Sequence, residues 1–366
     1  MAPKHLRYGF TTGACAAAAA KGAALMLREQ QLVDEVELTL PAAVTARFRL
    51  HGQIVGNDIA SCYVIKESGD DPDITNGAEI HVCVKVDFFT SRRIVLNGGT
   101  GIGRVTKPGL AVPVGEWAIN PVPRHMILEV VKEIFAMRCL PITLTVTVSI
   151  PNGEELSRKT LNARLGIVGG LSILGTTGIV KPISAKAWTD TIDVAIDVAR
   201  ACGSNTLTFS SGRTSEMVAQ KYLRAGERGP APVYDLIEEA FVMMGDHVGY
   251  ALRASARKGV KEVILAGQFA KLLKIACGHE QTHASSSDMD LQMLSKWAAM
   301  ESRTSGLEPL IAKANTARQV LDASGNDPSL VKIVCDRVGQ YAKTLAPEIE
   351  IKVLLAGYGG EVLYFG

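Results

Sequence analysis

Three short segments of this 366-residue chain group residue types that can do chemistry. The first is His279-Glu280-Gln281-Thr282-His283. Two histidines at that spacing with a glutamate beside the first hold zinc and supply a general base when the segment is helical. Gly278 reads as the stop of the preceding helix and Ala284-Ser285-Ser286-Ser287 as a loop, so the two imidazoles need not share a face. Glu301 is the nearest candidate for a third ligand, and no metal site is expected. The second segment, Gly69-Asp70-Asp71-Pro72-Asp73, is the densest acidic cluster. Its residue types suit a solvated turn; they also suit a ring of carboxylates that bonds a ligand's hydroxyl or N–H groups.

The third segment is a loop, Leu96 to Gly109, that carries Gly99, Gly101 and Gly103 after a β-prone run. Glycines there let backbone N–H groups come close to a ligand. A dinucleotide fingerprint needs a helix directly after the glycines, and Pro108, Gly109 and Pro113 forbid a long one. Arg104, Lys107 and the later Arg124 place positive charge beside the turn, which suits an anionic ligand. Cys15 lies in an alanine run with no basic neighbour in sequence to activate it, and reads as a small buried thiol.

Elements that could position these residues follow from pattern. Thr11 and Thr12 precede Gly13 and an alanine-rich run to about Arg28, which predicts a threonine-capped helix. Short strands are expected at Val36 to Leu40, Ala46 to Leu50, Ser61 to Lys66, Glu79 to Val86 and Ile94 to Leu96. A helix from His125 to Met137 and a strand from Ile142 to Ile150 complete an N-terminal α+β layered domain, residues 1–152. After Pro151-Asn152-Gly153 helices and strands alternate. Helices are expected at Thr191 to Ala201, Tyr234 to Met243, Val248 to Lys258 and Ala270 to Cys277. Strands are expected at Thr206 to Phe209, Val263 to Ala266 and Ile351 to Leu355. Residues 153–366 therefore predict an α/β domain with a mostly parallel, Rossmann-like sheet. Ligands of such sheets sit where strands end, here at Ser210 to Ser215 and at Gly267-Gln268. The glycine-rich stretch Gly169 to Val180 fits a buried strand and turn as well as a ligand loop.

Hydrophobic residues make up 47% of the chain and charged residues 21%, with a net charge of +2, so a globular protein is expected. Few aromatic residues and no dense basic cluster speak against nucleic acid as a partner. No segment is long and apolar enough for a membrane span. The seven cysteines are scattered without a Cys-x-x-Cys pair, which predicts reduced thiols and a cytoplasmic location.

Taken together, several segments resemble the cobalt-precorrin-5B C1-methyltransferase (CbiD) family of anaerobic cobalamin biosynthesis. They are Tyr8 to Lys21, Gly69 to Asp73, Gly98 to Leu110, Ala118 to Arg124, Asn162 to Ile167, Gly169 to Val180, and Thr282-His283 with Asp288. The sequence departs from the family pattern at Thr100, Gln268 and Gln281, where glutamate, histidine and asparagine are usual, and His279 lies outside that pattern. The resemblance implies methyl transfer from S-adenosylmethionine to C1 of cobalt-precorrin-5B, giving cobalt-precorrin-6A, with cobalt present only as part of the tetrapyrrole substrate. It makes Thr11, Thr12, Gly13, Asp70, Asp73, Gly99, Gly101, Gly103, Arg104, Lys107 and Arg124 candidate substrate contacts. The three basic side chains would rim a cleft for a macrocycle that bears carboxylates. His283, and after it Asp71, are candidates to take a proton as the ring readjusts. Gly175, Thr176, Thr177, Gly178, Gly212 and Gly267 are the candidate donor contacts, placed in the second domain. The alternatives are a non-catalytic corrinoid carrier and a zinc hydrolase; homo-oligomerisation is left open.

Overall fold

The computed structural model describes residues 6–88, 93–135, 142–182, 184–224, 234–284, 286, 290–301, 304 and 306–366. Cys139, Ser285, Ser287, Asp288 and the last two residues of the helix expected to reach Met137 lie outside them. The chain forms two compact units, residues 1–184 and 185–366, each mixing helices with sheet.

In the first unit, β1 (Gly9–Phe10) leads into α1 (Thr12–Glu29). Thr11 caps α1, its Oγ1 accepting from the Ala14 amide at 3.2 Å. There follow β2 (Glu35–Thr39), β3 (Thr45–Arg49), β4 (His51–Val55), β5 (Ile59–Ile65), β6 (Glu79–Phe88), β7 (Arg93–Gly98) and the short β8 (Arg104–Val105). Helix α2 (Pro121–Phe135), β9 (Ile142–Ser149), α3 (Gly153–Ser157), β10 (Ile167–Val168) and β11 (Ile179–Val180) complete the unit. The main sheet has the order β4-β5-β6-β9-β7 and is antiparallel except where β7 runs parallel to β9.

Alternation decides which side of that sheet is buried. Ala60, Cys62 and Val64, then Ile80, Val82 and Val84, then Leu144, Val146 and Val148 occupy every second position and are buried. The intervening Ser61, Tyr63, His81, Thr145 and Thr147 are part-exposed. Helix α1 packs on β5 and β6 and beside α2. Its alanines Ala14 to Ala20 are at most 1% exposed together with Cys15, because small side chains let the helix approach the sheet closely.

The domain boundary expected after residue 152 falls at 184 instead. The turn at Pro151-Asn152-Gly153 keeps the chain in the first unit, since Gly153 packs on the Gly101 carbonyl, which would stand 2.3 Å from a Cβ there. The chain then pairs twice with earlier segments of the same unit, Ile167-Val168 with Val105-Arg104 and Ile179-Val180 with Phe10-Gly9.

The second unit comprises α4 (Ala185–Ala201), β12 (Thr206–Ser210), α5 (Arg213–Leu223), a 3-10 turn at Glu238–Ala240, β13 (Phe241–Met243), α6 (Val248–Arg257), β14 (Glu262–Gly267) and α7 (Phe269–Ala276). It continues through α8 (Leu291–Met300), α9 (Glu308–Lys313), α10 (Ala317–Ala323), α11 (Pro328–Leu345), β15 (Glu350–Ala356) and β16 (Val362–Phe365). The sheet order is β13-β12-β14-β15-β16, parallel throughout except for the antiparallel β16. Leu207 to Ser210 and Val263 to Gly267 are buried runs without alternation, as strands covered on both faces require.

The helix expected over Tyr234 to Met243 is not formed. Residues 241–243 are a strand instead, paired with Thr208 to Ser210. Leu236, Ile237, Ala240 and Phe241 mimic helical spacing, but so short an apolar run does not distinguish helix from buried strand, and pairing with β12 selected the strand. Glu301 is the C-cap of α8. No helix among the described residues is long and apolar enough to cross a membrane.

Candidate active site

The carboxyl ends of β12, β13 and β14 lie along one edge of the parallel sheet of the second unit. The connection after β12 goes to β13 on one side, whereas the connection after β14 goes to β15 on the other. Where connections part in this way an open parallel sheet leaves a crevice for ligands. Gly212 and Gly267 sit at that point. Gly212 is the N-cap of α5, and a Cβ built on it would meet nothing within 4 Å. The hydroxyls of Thr208 and Ser210 on β12 are buried and have no hydrogen-bond partner.

Beside them, Asp246 in the turn after β13 gathers a charged cluster. Its carboxylate takes a short bond from Lys271 of α7 and another from Thr282 Oγ1 at 2.6 Å. Burial alone would raise the Asp246 carboxyl. The bonds from Lys271 and Thr282, with the charges of Lys271 and His283, outweigh it and hold the group below the usual carboxylate range. Thr282 is fixed further. Its amide donates to Asp246 O at 3.0 Å, and its carbonyl accepts from Lys271 Nζ and Lys274 Nζ, each at 3.2 Å. The Gln281 side-chain amide stands 3.0 Å from His247 Nδ1. Burial pushes the His247 imidazole below its ordinary value, against the pull of the Asp246 carboxylate. His283, next after Thr282, is exposed.

The zinc-hydrolase geometry is not formed. Helix α7 ends at Ala276 and Gly278 takes φ 92°, so residues 279–283 are not helical. Glu280, the general base of that reading, is instead paired with Arg253 Nη1 at 2.6 Å. No group of three or more His, Cys, Asp or Glu side chains among the described residues is placed to hold a metal ion.

The remaining predicted residues lie in the first unit, including Gly175, Thr176, Thr177 and Gly178, which were expected in the second domain. Gly175 and Gly178 meet the start of α1, where Thr11 N donates to Gly178 O, while Thr177 O accepts from Ala42 N. Thr12 Oγ1 accepts from Leu174 N at 2.9 Å, Gly13 N donates to Leu174 O, and a Cβ on Gly175 would strike Thr11. Thr11, Thr12 and Gly13 thus anchor the 172–178 loop. The glycine loop behaves differently from a ligand cradle. Gly99 N donates to Val148 O and Gly103 N to Leu171 O, while Gly101, at φ 73°, would place a Cβ 1.9 Å from Ile150 O. These glycines let backbone segments meet.

Two of the basic residues reach the same segment, residues 115–117. Arg104 Nη1 donates to Gly115 O at 2.6 Å with its guanidinium 3.9 Å over the Trp117 ring, and Arg124 stands 3.8 Å from Glu116. Lys107 reaches Arg164 O at 3.4 Å with its stem across Gly166. In the acidic cluster, Asp70 bonds the Arg7 amide and guanidinium, and Asp73 the buried Lys66. Asp71 N donates to Ser68 O at 3.3 Å. The two candidate catalytic residues, Asp71 and His283, belong to different units.

Asp246, His247 and Lys271 are absent from the sequence reading. The signal that would have found Asp246 and His247 is strand β13: read as a helix, Phe241 to Met243 hides that Gly245-Asp246-His247 follows a parallel strand.

A fold with a helix-covered antiparallel sheet and a parallel sheet bearing a polar carboxyl edge suits an enzyme of small-molecule metabolism. The CbiD family model matches residues 1–182, and the model of the CbiD C-terminal domain matches 281–365. A cobalt-precorrin-5B C(1)-methyltransferase of Citrifermentans bemidjiense is 63% identical over 365 residues, covering 100% of this chain and 99% of its own. The protein of that name from Geotalea daltonii is 65% identical over 369 residues, covering 100% of both chains. A crystal structure of the cobalamin biosynthesis protein (cbiD) from Archaeoglobus fulgidus is 30% identical, with a TM-score of 0.39 over 74% of this chain and 79% of that one. The chain belongs to the CbiD family.

Proposed function

We infer that the protein transfers a methyl group from S-adenosylmethionine to C1 of cobalt-precorrin-5B, giving cobalt-precorrin-6A. The reading is carried by full-length identity of 63% and 65% to two methyltransferases of that name. The cobalt enters as part of the tetrapyrrole substrate.

The second unit serves as a Rossmann-like donor domain in this reading. Its sheet order places the ends of β12 and β14 at the crevice, where the α5 N-terminus, the open space at Gly212 and the orphaned Ser210 hydroxyl fit a polar nucleoside ligand. Gly212 and Gly267 hold the donor. Gly175 to Gly178, being in the first unit, join the substrate loops with Thr11, Thr12 and Gly13. S-adenosylmethionine supplies a methyl group already activated by its positive sulfur, so placement in line with the ring carbon matters more than a strong acid or nucleophile. His283 takes the proton lost as the ring readjusts, with Asp71 as second candidate. Arg104, Lys107 and Arg124 meet substrate carboxylates through their side chains. The glycine amides at 99 and 103 already bond the protein's own carbonyls.

Calorimetric titration with S-adenosylhomocysteine, with metal content recorded, tests the reading. Saturable binding near one per chain is expected. No binding, even with the corrinoid present, would favour a carrier that holds the macrocycle without methylating it.

A further inference from the structure

We propose that Asp246 is the positioning residue of the carboxyl-edge site, fixing the place of His283 by holding Thr282 from two directions. The proposal rests on the reading of His283 as the proton-handling group.

Segment 280–283 has no helix or strand to fix it. What holds it is the turn after β13. Gly249 N donates to Glu280 O at 3.0 Å, the Gln281 amide reaches His247, and the Thr282 amide and hydroxyl both end on Asp246. Thr282 is 1% exposed, and every polar group it has is spent on this grip. With its hydroxyl committed to Asp246 and its side chain buried, Thr282 serves to fix the next residue. The Asp246 carboxylate also balances Lys271, whose ammonium reaches the Thr282 carbonyl. The groups facing Asp246 are therefore Lys271, Thr282, His247 and His283, with Lys274 behind the Thr282 carbonyl. A carboxylate buttressed from an adjoining strand end places a functional imidazole more narrowly than a loop could alone.

The test is a double-mutant cycle on methyl transfer to cobalt-precorrin-5B by the full-length protein. His283→Ala is expected to lower kcat by roughly 100-fold or more. Asp246→Asn keeps the size and an acceptor oxygen, and is expected to lower kcat about tenfold with both KM values within about twofold of the parent's. The double variant should match His283→Ala within about twofold, because Asp246 acts only through His283. Multiplying effects, or an unchanged kcat in Asp246→Asn, overturn the proposal. An unchanged kcat in His283→Ala overturns both the role of His283 and this proposal, while parent turnover leaves the methyltransferase reading standing. Should Asp246→Asn fail to fold, Thr282→Val removes only the hydroxyl bond and must lower kcat in the same direction.

Discussion

Lys66 and Asp73 form an ion pair in the first unit in which the lysine is 2% exposed, its ammonium 2.5 Å from the carboxylate. The same carboxylate bonds the Thr75 amide at 2.8 Å and hydroxyl at 2.7 Å, and Lys66 also reaches Ser68 Oγ at 2.6 Å. The acidic segment is thereby folded over a buried cation. The two partners are unequally buried, since Asp73 retains 24% of its side-chain exposure. Asp73→Asn strands a buried charge and is expected to cost about 3 kcal/mol; Lys66→Met leaves a carboxylate that water can reach and should cost about half that. Urea denaturation midpoints of the two variants check the order; a costlier Lys66→Met would refute the asymmetry.

The pair also sets a pH dependence. Burial alone would raise the Asp73 carboxyl, but bonds from Lys66 and Thr75 and the Lys66 charge prevail and hold it below its ordinary value. A carboxyl depressed by folding stabilises the protein fully above the unfolded value, about 4, and loses that contribution as pH falls through the folded value. Thermal melts below about pH 4 should therefore decline less steeply in Asp73→Asn than in the parent. Identical slopes would show that the pair does not contribute.

Gly101 gives the sharpest steric prediction. Its φ of 73° and the Ile150 carbonyl 1.9 Å from any Cβ leave no room for alanine. Gly101→Ala is expected to cost about 3 kcal/mol, from left-handed strain and overpacking together. A melting temperature within about 2 °C of the parent's would show that the β7–β8 loop yields more readily than its contacts imply.

How much of this was legible in the sequence depended on how local the signal was. Helix α1 follows from Thr11 and the alanines that succeed it, and β5, β6 and β9 follow from strict alternation, because both signals are local. Strand β13 was not legible: three residues carry no period, and only the register with Thr208 to Ser210 makes them a strand. The domain boundary failed for a similar reason. The pairing of Ile179-Val180 with Phe10-Gly9 spans most of the first unit in sequence, and no local pattern encodes it. The glycine loop was visible, but its use was not. Glycine admits a ligand or another backbone equally, and the closeness of Gly101 to Ile150 is a tertiary fact.

The motif at residues 279–283 separates two roles that its sequence spacing merges. His279 N donates to Lys274 O in the turn after α7, and its partner glutamate is held by Arg253, so the segment does not take the helical form that the zinc-hydrolase pattern requires. His279→Ala is expected to keep kcat within about twofold and to leave zinc content unchanged, as befits a residue outside the machinery. A tenfold loss accompanied by loss of one zinc per chain would reinstate the metal reading.

Gly212 allows the donor site to be tested apart from the fold. Its φ of −174° is extended backbone open to any residue, and a side chain there would meet no protein atom at its Cβ. Gly212→Leu should accordingly leave the melting temperature within about 2 °C of the parent's. The leucine would occupy the space before the α5 N-terminus, where the donor's polar groups are placed in the proposed reading. Calorimetry should show the dissociation constant for S-adenosylhomocysteine rising at least tenfold, about 1.4 kcal/mol. Gly267→Val is the poorer probe, because its Cβ would stand 2.9 Å from Leu272 and mix packing with binding. Unchanged affinity in Gly212→Leu, with the fold intact, would move the donor away from the ends of β12 and β14.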